Sequence, residues 1–283
     1  MKKLALAVLI LVSSVTMFAQ GFNQLPNLEA IHAFAGMKVP TQSVENNQFG
    51  FDYMRFEVIF SDDSSKMRVH FRHDFASSKI QLANVSKKFG NITITAGRFL
   101  DPIWYLFPAP HAMAQTAYAA SVNSFTVLND GISLQYDDVL NDKKITVRAS
   151  IFDCDGNRNV SASVDVALSA DTHMGYFVQT RGNKTGFGLM ARSALHPLLN
   201  VEGGMVSRPT TSAAPVEFYA QNQAKLTDKL SIWLQGDFQA HCDIMSVVRT
   251  MVGAAYQYSN NSHLKLFYNF TDKVVIAKVT FFL

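Results

Sequence analysis

The chain has 283 residues, of which 48% are hydrophobic, 22 are Phe and only 17% are charged, against the ~25% charged usual in globular domains. Its 25 basic and 22 acidic residues nearly balance, and loss of Lys2 and Lys3 would leave a net charge of +1, which gives no footprint for nucleic acid. Two cysteines permit one disulfide but exclude a disulfide scaffold.

Lys2 and Lys3 form a positive n-region, Leu4 to Val12 an apolar h-region, and Met17-Phe18-Ala19-Gln20 puts a small residue near a cleavage point. Residues 1–20 are therefore expected to be a secretory signal, their apolar run being too short to cross a bilayer. No later stretch approaches eighteen apolar residues, so no transmembrane helix is expected beyond it. Without a linker rich in Pro, Gly or Ser, residues 21–283 read as one domain.

The pattern that follows has a period of two. Over 51–60, Met54, Phe56, Val58 and Phe60 alternate with Arg55 and Glu57; over 66–75, Met67, Val69 and Phe71 alternate with Arg68, His70, Arg72 and Asp74. Over 145–151 and 160–168, Ile145, Val147, Val164 and Val166 share apolar faces opposite Arg148, Ser150, Ser163 and Asp165. Leu230, Ile232 and Leu234 oppose Ser231, Gln235 and Asp237; at the C-terminus Val275, Ala277, Val279 and Phe281 oppose Lys278 and Thr280. Each segment is a strand with one apolar and one polar face. Many run to about ten residues, the length a tilted strand needs to cross a bilayer, where soluble strands average about five or six.

Strands are expected near 29–39, 51–60, 66–75, 79–89, 91–99, 126–137, 143–153, 160–170, 173–181, 185–194, 200–208, 216–226, 229–239, 248–259, 262–270 and 274–283. That makes sixteen, or fourteen if either pair involving the poorly alternating 79–89 and 200–208 fails. With both termini in the periplasm, every longer joint falls on the opposite side, the asymmetry of bacterial membrane barrels. The fold class is therefore all-β: a transmembrane antiparallel β-barrel of about sixteen strands in a bacterial outer membrane.

Phe51-Asp52-Tyr53-Met54-Arg55-Phe56, the run Met67 to Phe75, and Ile92 to Pro102 through Ala96-Gly97-Arg98-Phe99 together resemble the phosphate-selective porin O and P family. Gly131-Ile132-Ser133-Leu134-Gln135-Tyr136 is similar to the strand after that family's long third loop. The resemblance implies a sixteen-stranded, usually trimeric channel whose third loop folds inward. This chain is short for the family and shows no lysine cluster in the long segment, so phosphate selectivity does not carry over. Val279-Thr280-Phe281-Phe282-Leu283 is similar to the assembly signal of outer-membrane proteins, with Leu in place of the common Phe.

Inward parity gathers Arg55, Arg68, Arg72, Arg148, Arg181, Arg192, Lys225, Arg249, Lys265 and Lys278 on the polar wall, with the acids Glu57, Asp74, Asp165, Glu217 and Asp237. Ten bases against five acids favour anions in a water-filled pore, and Arg55, Arg68, Arg72 and Arg148 are the expected anion path. The alternative is that the arginines pair with Glu57 and Asp74 across strands and only solvate the wall. Arg98 shares parity with Ile92, Ile94 and Ala96, which aims it at lipid unless a bulge shifts the register.

The long segment 100–125 carries Trp104, Tyr105 and Phe107 and is expected to fold inward as a constriction loop; an external cap is the alternative. Cys154 and Cys242 fall in loops on one side, where a disulfide is conceivable. Enzymatic and metal signals are weak: the eight His are scattered, and no Gly-x-Ser-x-Gly elbow occurs. The expectation is a passive channel for small hydrophilic solutes, with no catalysis and no cofactor. Its partners would be outer-membrane lipid and lipopolysaccharide, small solutes or anions, and two further copies in a homotrimer. An anchor or adhesin barrel without an open pore, and an outer-membrane hydrolase, remain the rivals.

Overall fold

A computed structural model describes residues 27–40, 50–100, 128–154, 157–182, 184–207, 216–241, 244–259 and 262–282. The expected signal at 1–20 and nearly all of segment 100–125 lie outside the described residues. The strands are β1 (Leu28–Pro40), β2 (Gly50–Asp62), β3 (Met67–Asp74), β4 (Lys79–Phe89), β5 (Ile92–Leu100), β6 (Leu128–Leu140), β7 (Lys143–Cys154) and β8 (Asn157–Ala167). They continue as β9 (Thr172–Arg181), β10 (Lys184–His196), β11 (Leu199–Ser207), β12 (Val216–Lys225), β13 (Leu230–His241), β14 (Ile244–Ser259), β15 (Ser262–Asn269) and β16 (Val274–Phe282).

All sixteen expected strands are present, including those read at 79–89 and 200–208. Each pairs antiparallel with its chain neighbours, and β1 pairs with β16 from His32–Phe282 to Pro40–Val274, closing the barrel. The largest boundary difference is β14, which begins at Ile244 rather than near 248. A register shift between Asp237 and Phe238 on β13, opposite Arg249 and Val247, leaves Val248 unpaired there. Met245 and Val247 then continue the exposed apolar face beyond the bulge, where simple alternation breaks at Val247-Val248.

The strand ends joined by 41–49, 101–127 and 208–215 all lie opposite the termini. At the termini end no connection exceeds four residues. Asn141 and Asp142 make one of these turns with φ of 50° and 61°, the two positive values that a two-residue type I′ hairpin demands.

The outer face is apolar. Phe71, Val147, Val164 and Leu234 point outward and are 36–52% exposed. Val58 shares their parity but is buried, beside the equally buried Ile31, Ala33 and Ala35 of β1. The inner face is polar but is not only polar. Phe152, Phe177, Tyr219, Trp233 and Phe267 point inward and are almost wholly buried. Each sits directly across from a glycine on a neighbouring strand: Phe152 from Gly131, Phe177 from Gly188, Tyr219 from Gly204, and both Trp233 and Phe267 from Gly253. A Cβ on Gly188 would stand 2.5 Å from the Phe177 ring, and one on Gly204 2.7 Å from that of Tyr219. The missing side chains let these two rings lie along the wall instead of projecting into the lumen, the aromatic cover of glycine known in curved sheets.

Two outcomes follow from this facing. Leu234→Arg or Val164→Arg should destabilise the barrel in vesicles by about 2–4 kcal/mol by urea titration, while Ser133→Arg, inward and half-exposed, should be near neutral. Ser150 and Ser163 do not serve as inward controls, because both are buried and Ser150 shares a 2.7 Å hydrogen bond with Ser161. Gly188→Ala should cost about 1–3 kcal/mol through overpacking, and a double-mutant cycle should show that cost fall once Phe177 is changed to Ala. Equal cost in both backgrounds would separate the ring from the glycine.

Candidate functional site

The candidate site is the inner wall. On β2 and β3 the alternation places Glu57 and Arg72 directly opposite one another, both buried. Arg72 Nη2 donates to Glu57 Oε1 at 2.9 Å. His32 Nδ1 lies 3.1 Å from Glu57 Oε2, and His70 Nε2 bonds Glu57 Oε1. Since a carboxylate only accepts, both imidazoles face Glu57 with N–H. One pair along, Arg55 Nε donates to Asp74 Oδ2 at 3.4 Å. Asp74 also accepts from Gln81 Nε2 at 3.0 Å and from the backbone N–H groups of Met54 and Ala76.

Arg68 is held by a residue that alternation does not supply. Its Nε and Nη2 fork onto the two oxygens of Glu29, both at 2.8 Å. Glu29 is the extra residue at a register shift between Leu28 and Ala30 of β1, and the bulge brings its carboxylate to the inward Arg68. Arg55, Arg68 and Arg72 thus stand on adjoining strands, as their parity requires, and each has an acid against it. The Arg68–Glu29 pair is exposed and contributes little to stability; the Glu57–Arg72 pair is withdrawn from water and matters more.

Arg148 Nε donates to Gln135 Oε1 at 2.9 Å, and Asp137 accepts from Gln135 Nε2 and Thr146 Oγ1, each at 2.7 Å. Across the barrel Arg249 Nε and Nη2 reach Asp237 Oδ2 at 2.7 and 2.6 Å. Lys265 is fully buried, with its Nζ 5.7 Å from the centroid of the Trp233 ring. Three inward acids, Glu29, Asp137 and Glu202, join the five found by alternation, and Lys88, Lys144 and Lys184 stand on the same inward parity, so the surplus of about five positive charges is kept. Glu202 is hidden in the sequence because β11 alternates weakly around Gly203 and Gly204. The inward aromatics are hidden because Ile232-Trp233-Leu234 reads as an unbroken apolar run; the signal that could have exposed them is the set of facing glycines.

Arg98 points outward, as its parity with Ile92 and Ile94 requires, with no register shift beside it. Its charge is met there: Nε and Nη2 fork onto Asp130 at 2.9 and 2.6 Å, and Nη1 donates to the Ile80 carbonyl at 3.2 Å. Cys154 is the last residue of β7. Cys242, Trp104, Tyr105 and Phe107 lie outside the described residues.

No family model matches the chain, and no curated protein matches it in sequence. Solved structures do match it in fold. A multiply substituted mutant of the Rhodopseudomonas blastica porin superposes with a TM-score of 0.66 at 13% identity, covering 90% of this chain and 99% of that one. A triple mutant of the same porin gives 0.61 at 11% identity with the same coverage. A structure from work on asymmetric conductivity of engineered proteins gives 0.63 at 12%, again covering 90% and 99%. At such identities the likeness is one of fold alone.

The buried Glu57–Arg72 pair yields a direct test. Glu57→Gln should lower stability by about 3 kcal/mol in urea titration, because it strands a guanidinium withdrawn from water. The double variant Glu57→Gln, Arg72→Met should recover part of that loss. A single variant as stable as the native chain would mean that both charges are solvated.

Proposed function

We propose that this protein is a passive diffusion channel of a bacterial outer membrane, passing small hydrophilic solutes with a modest preference for anions. The observation that carries the reading is a closed sixteen-strand barrel whose outer face is apolar and whose inner wall bears the charged and amide side chains. A channel wall needs polar groups that keep water and fixed charges that bias ions. The reading involves no catalytic step and no cofactor. It takes the termini end as periplasmic, outer-membrane lipid and lipopolysaccharide as the surroundings, and a homotrimer as the assembly. Kinship with the phosphate-selective porins O and P is proposed on the motif pattern around Arg55, Arg68 and Arg98 and on Gly131 to Tyr136.

We further propose that segment 100–125, through Trp104, Tyr105 and Phe107, folds into the lumen and narrows it, and that Cys154 and Cys242 are available to pair. The burial of the inner wall supports a narrowed lumen: Asn159 and Lys265 are each 0% exposed, less than an open water-filled tube would leave them. The same burial favours the second reading, an anchor or adhesin barrel with no open pore, and conductance separates the two.

The test is a planar bilayer holding the purified protein between unequal potassium chloride solutions. Channel steps are expected, with a zero-current potential showing weak chloride preference. Neutralising Arg55, Arg68 and Arg72 together should move that potential toward potassium, most strongly at low salt, since the Debye length is about 8 Å at physiological ionic strength. A silent barrel would leave the anchor reading. A native channel that favours potassium would show that the acids set the wall's field.

A further inference from the structure

Seven arginines of the described residues, at 55, 68, 72, 98, 148, 158 and 249, have a hydrogen bond or an ion pair within 4 Å. Arg192 of β10 departs from that rule. It is half-buried on the inner wall, and no hydrogen bond or ion pair joins it to another described residue. It stands in register between His173 of β9 and Glu202 of β11. The Nδ1 of His173 is also buried without a hydrogen-bond partner, lying 3.9 Å from Asp165 Oδ1. These two groups open on one cavity of about 240 Å³ beside the turn at 168–171, whose lining also includes Asn200, Gln221 and Gln223.

The chemistry of that cavity narrows what fits it. A guanidinium partly withdrawn from water gains most from a planar acceptor with two oxygens, which it meets with two parallel hydrogen bonds. Glu202 sets the tolerated charge. It is buried, accepts from the Tyr219 hydroxyl at 3.2 Å, and lies on the strand next to Arg192. Arg192 is the fixed positive charge of the lining and Glu202 and Asp171 are the fixed negative ones, so a monoanion is met at Arg192, whereas a phosphate dianion meets stronger repulsion from the two carboxylates. The amides of Asn200, Gln221 and Gln223 both donate and accept, which matches hydroxyl groups; Asn200 Nδ2 and Gln223 Oε1 already show that pairing at 2.9 Å. The cavity volume admits only a small molecule.

We propose that the inner wall of β9–β12 holds a binding subsite for a small hydroxylated monocarboxylate, with Arg192 as its carboxylate anchor. The subsite rests on the channel reading only for the route by which solute arrives. The experiment is calorimetric titration of the purified barrel in detergent with lactate, glycerol and inorganic phosphate, alongside conductance of the same preparation. Lactate should bind, glycerol should not, and phosphate should bind more weakly than lactate. Arg192→Gln should weaken lactate at least about tenfold, the scale of one charge-assisted contact, and Arg192→Lys should fall between, keeping the charge but losing the fork. Glu202→Gln should raise phosphate affinity toward that of lactate. A heat-dependent shift on gels confirms that each variant is folded. Lactate affinity unchanged in Arg192→Gln, phosphate preferred by the native chain, or no lactate binding would each overturn the proposal. A barrel that binds lactate through Arg192 yet conducts nothing would sink the channel reading and leave the subsite; a conducting barrel indifferent to lactate would do the reverse.

Discussion

Closure of the sheet between β1 and β16 is the constraint on which the rest of the structure depends. In hydrocarbon no water is present to satisfy a free N–H or C=O, so a spanning sheet with open edges would carry two rows of unpaired groups at several kcal/mol each. The pairing from His32–Phe282 to Pro40–Val274 removes both edges at once. Once the sheet is closed, every residue faces either outward or inward, and a one-residue slip would exchange the faces of a whole strand. Three of the six register shifts among the described strands illustrate how the faces are kept. Those between Leu28 and Ala30 and between Ala194 and His196 sit at strand ends, where changed parity affects few residues. The shift at Asp237/Phe238 lies deeper, and there the apolar face resumes directly beyond it with Met245 and Val247.

The inner wall obeys two further demands that compete. Charges must stay solvated or paired, and bulky groups must not choke the lumen. The first is met by cross-strand pairing: Glu57 gathers Arg72, His32 and His70, Asp74 takes Arg55, and Asp237 takes Arg249. Such a wall is strongly polar with most of its arginines matched by acids, so its bias among ions comes from the basic residues left over and is weakened by salt. The second is met by glycine. Placing Phe177 against Gly188 and Tyr219 against Gly204 buries two large rings in the thickness of the wall. Removing a Cβ costs strand propensity, roughly 1 kcal/mol or less per glycine, and the ring burial offsets it.

What could be read from the sequence, and what could not, divides along the same physical line. The sixteen strands were visible because an apolar outer face and a polar inner face give alternate residues opposite polarity, even in short pieces such as Met67 to Asp74. The outward aim of Arg98 followed from parity and holds, although its partner Asp130 lies 32 residues away and could not be seen. Glu29 was invisible because a bulge brings an otherwise outward side chain to Arg68. The inward aromatics were invisible because parity sorts polar from apolar and is silent where both faces are apolar, as at Ile232-Trp233-Leu234. Partner choice was the least accessible: Arg55 and Arg72 could have been free fixed charges or half of ion pairs, and only the register across β2 and β3 decides between them.

The same reasoning explains how a chain 10–13% identical to solved porins shares their fold over 90% of its length. Closure and alternation specify residue classes rather than residues, so a barrel survives nearly complete replacement of its sequence. The outer face is bound only to be apolar. The inner face is bound to be polar, with its charges matched, and that leaves wide freedom in which charges and where. Binding of one particular solute must therefore reside in departures from the matched pattern rather than in the pattern itself. Arginines already committed to Glu57, Asp74, Asp237 or Glu29 shape the wall but have little left to offer a passing solute. A half-buried guanidinium outside that scheme, flanked in register by His173 and Glu202, is where the wall of this barrel has kept binding capacity in reserve.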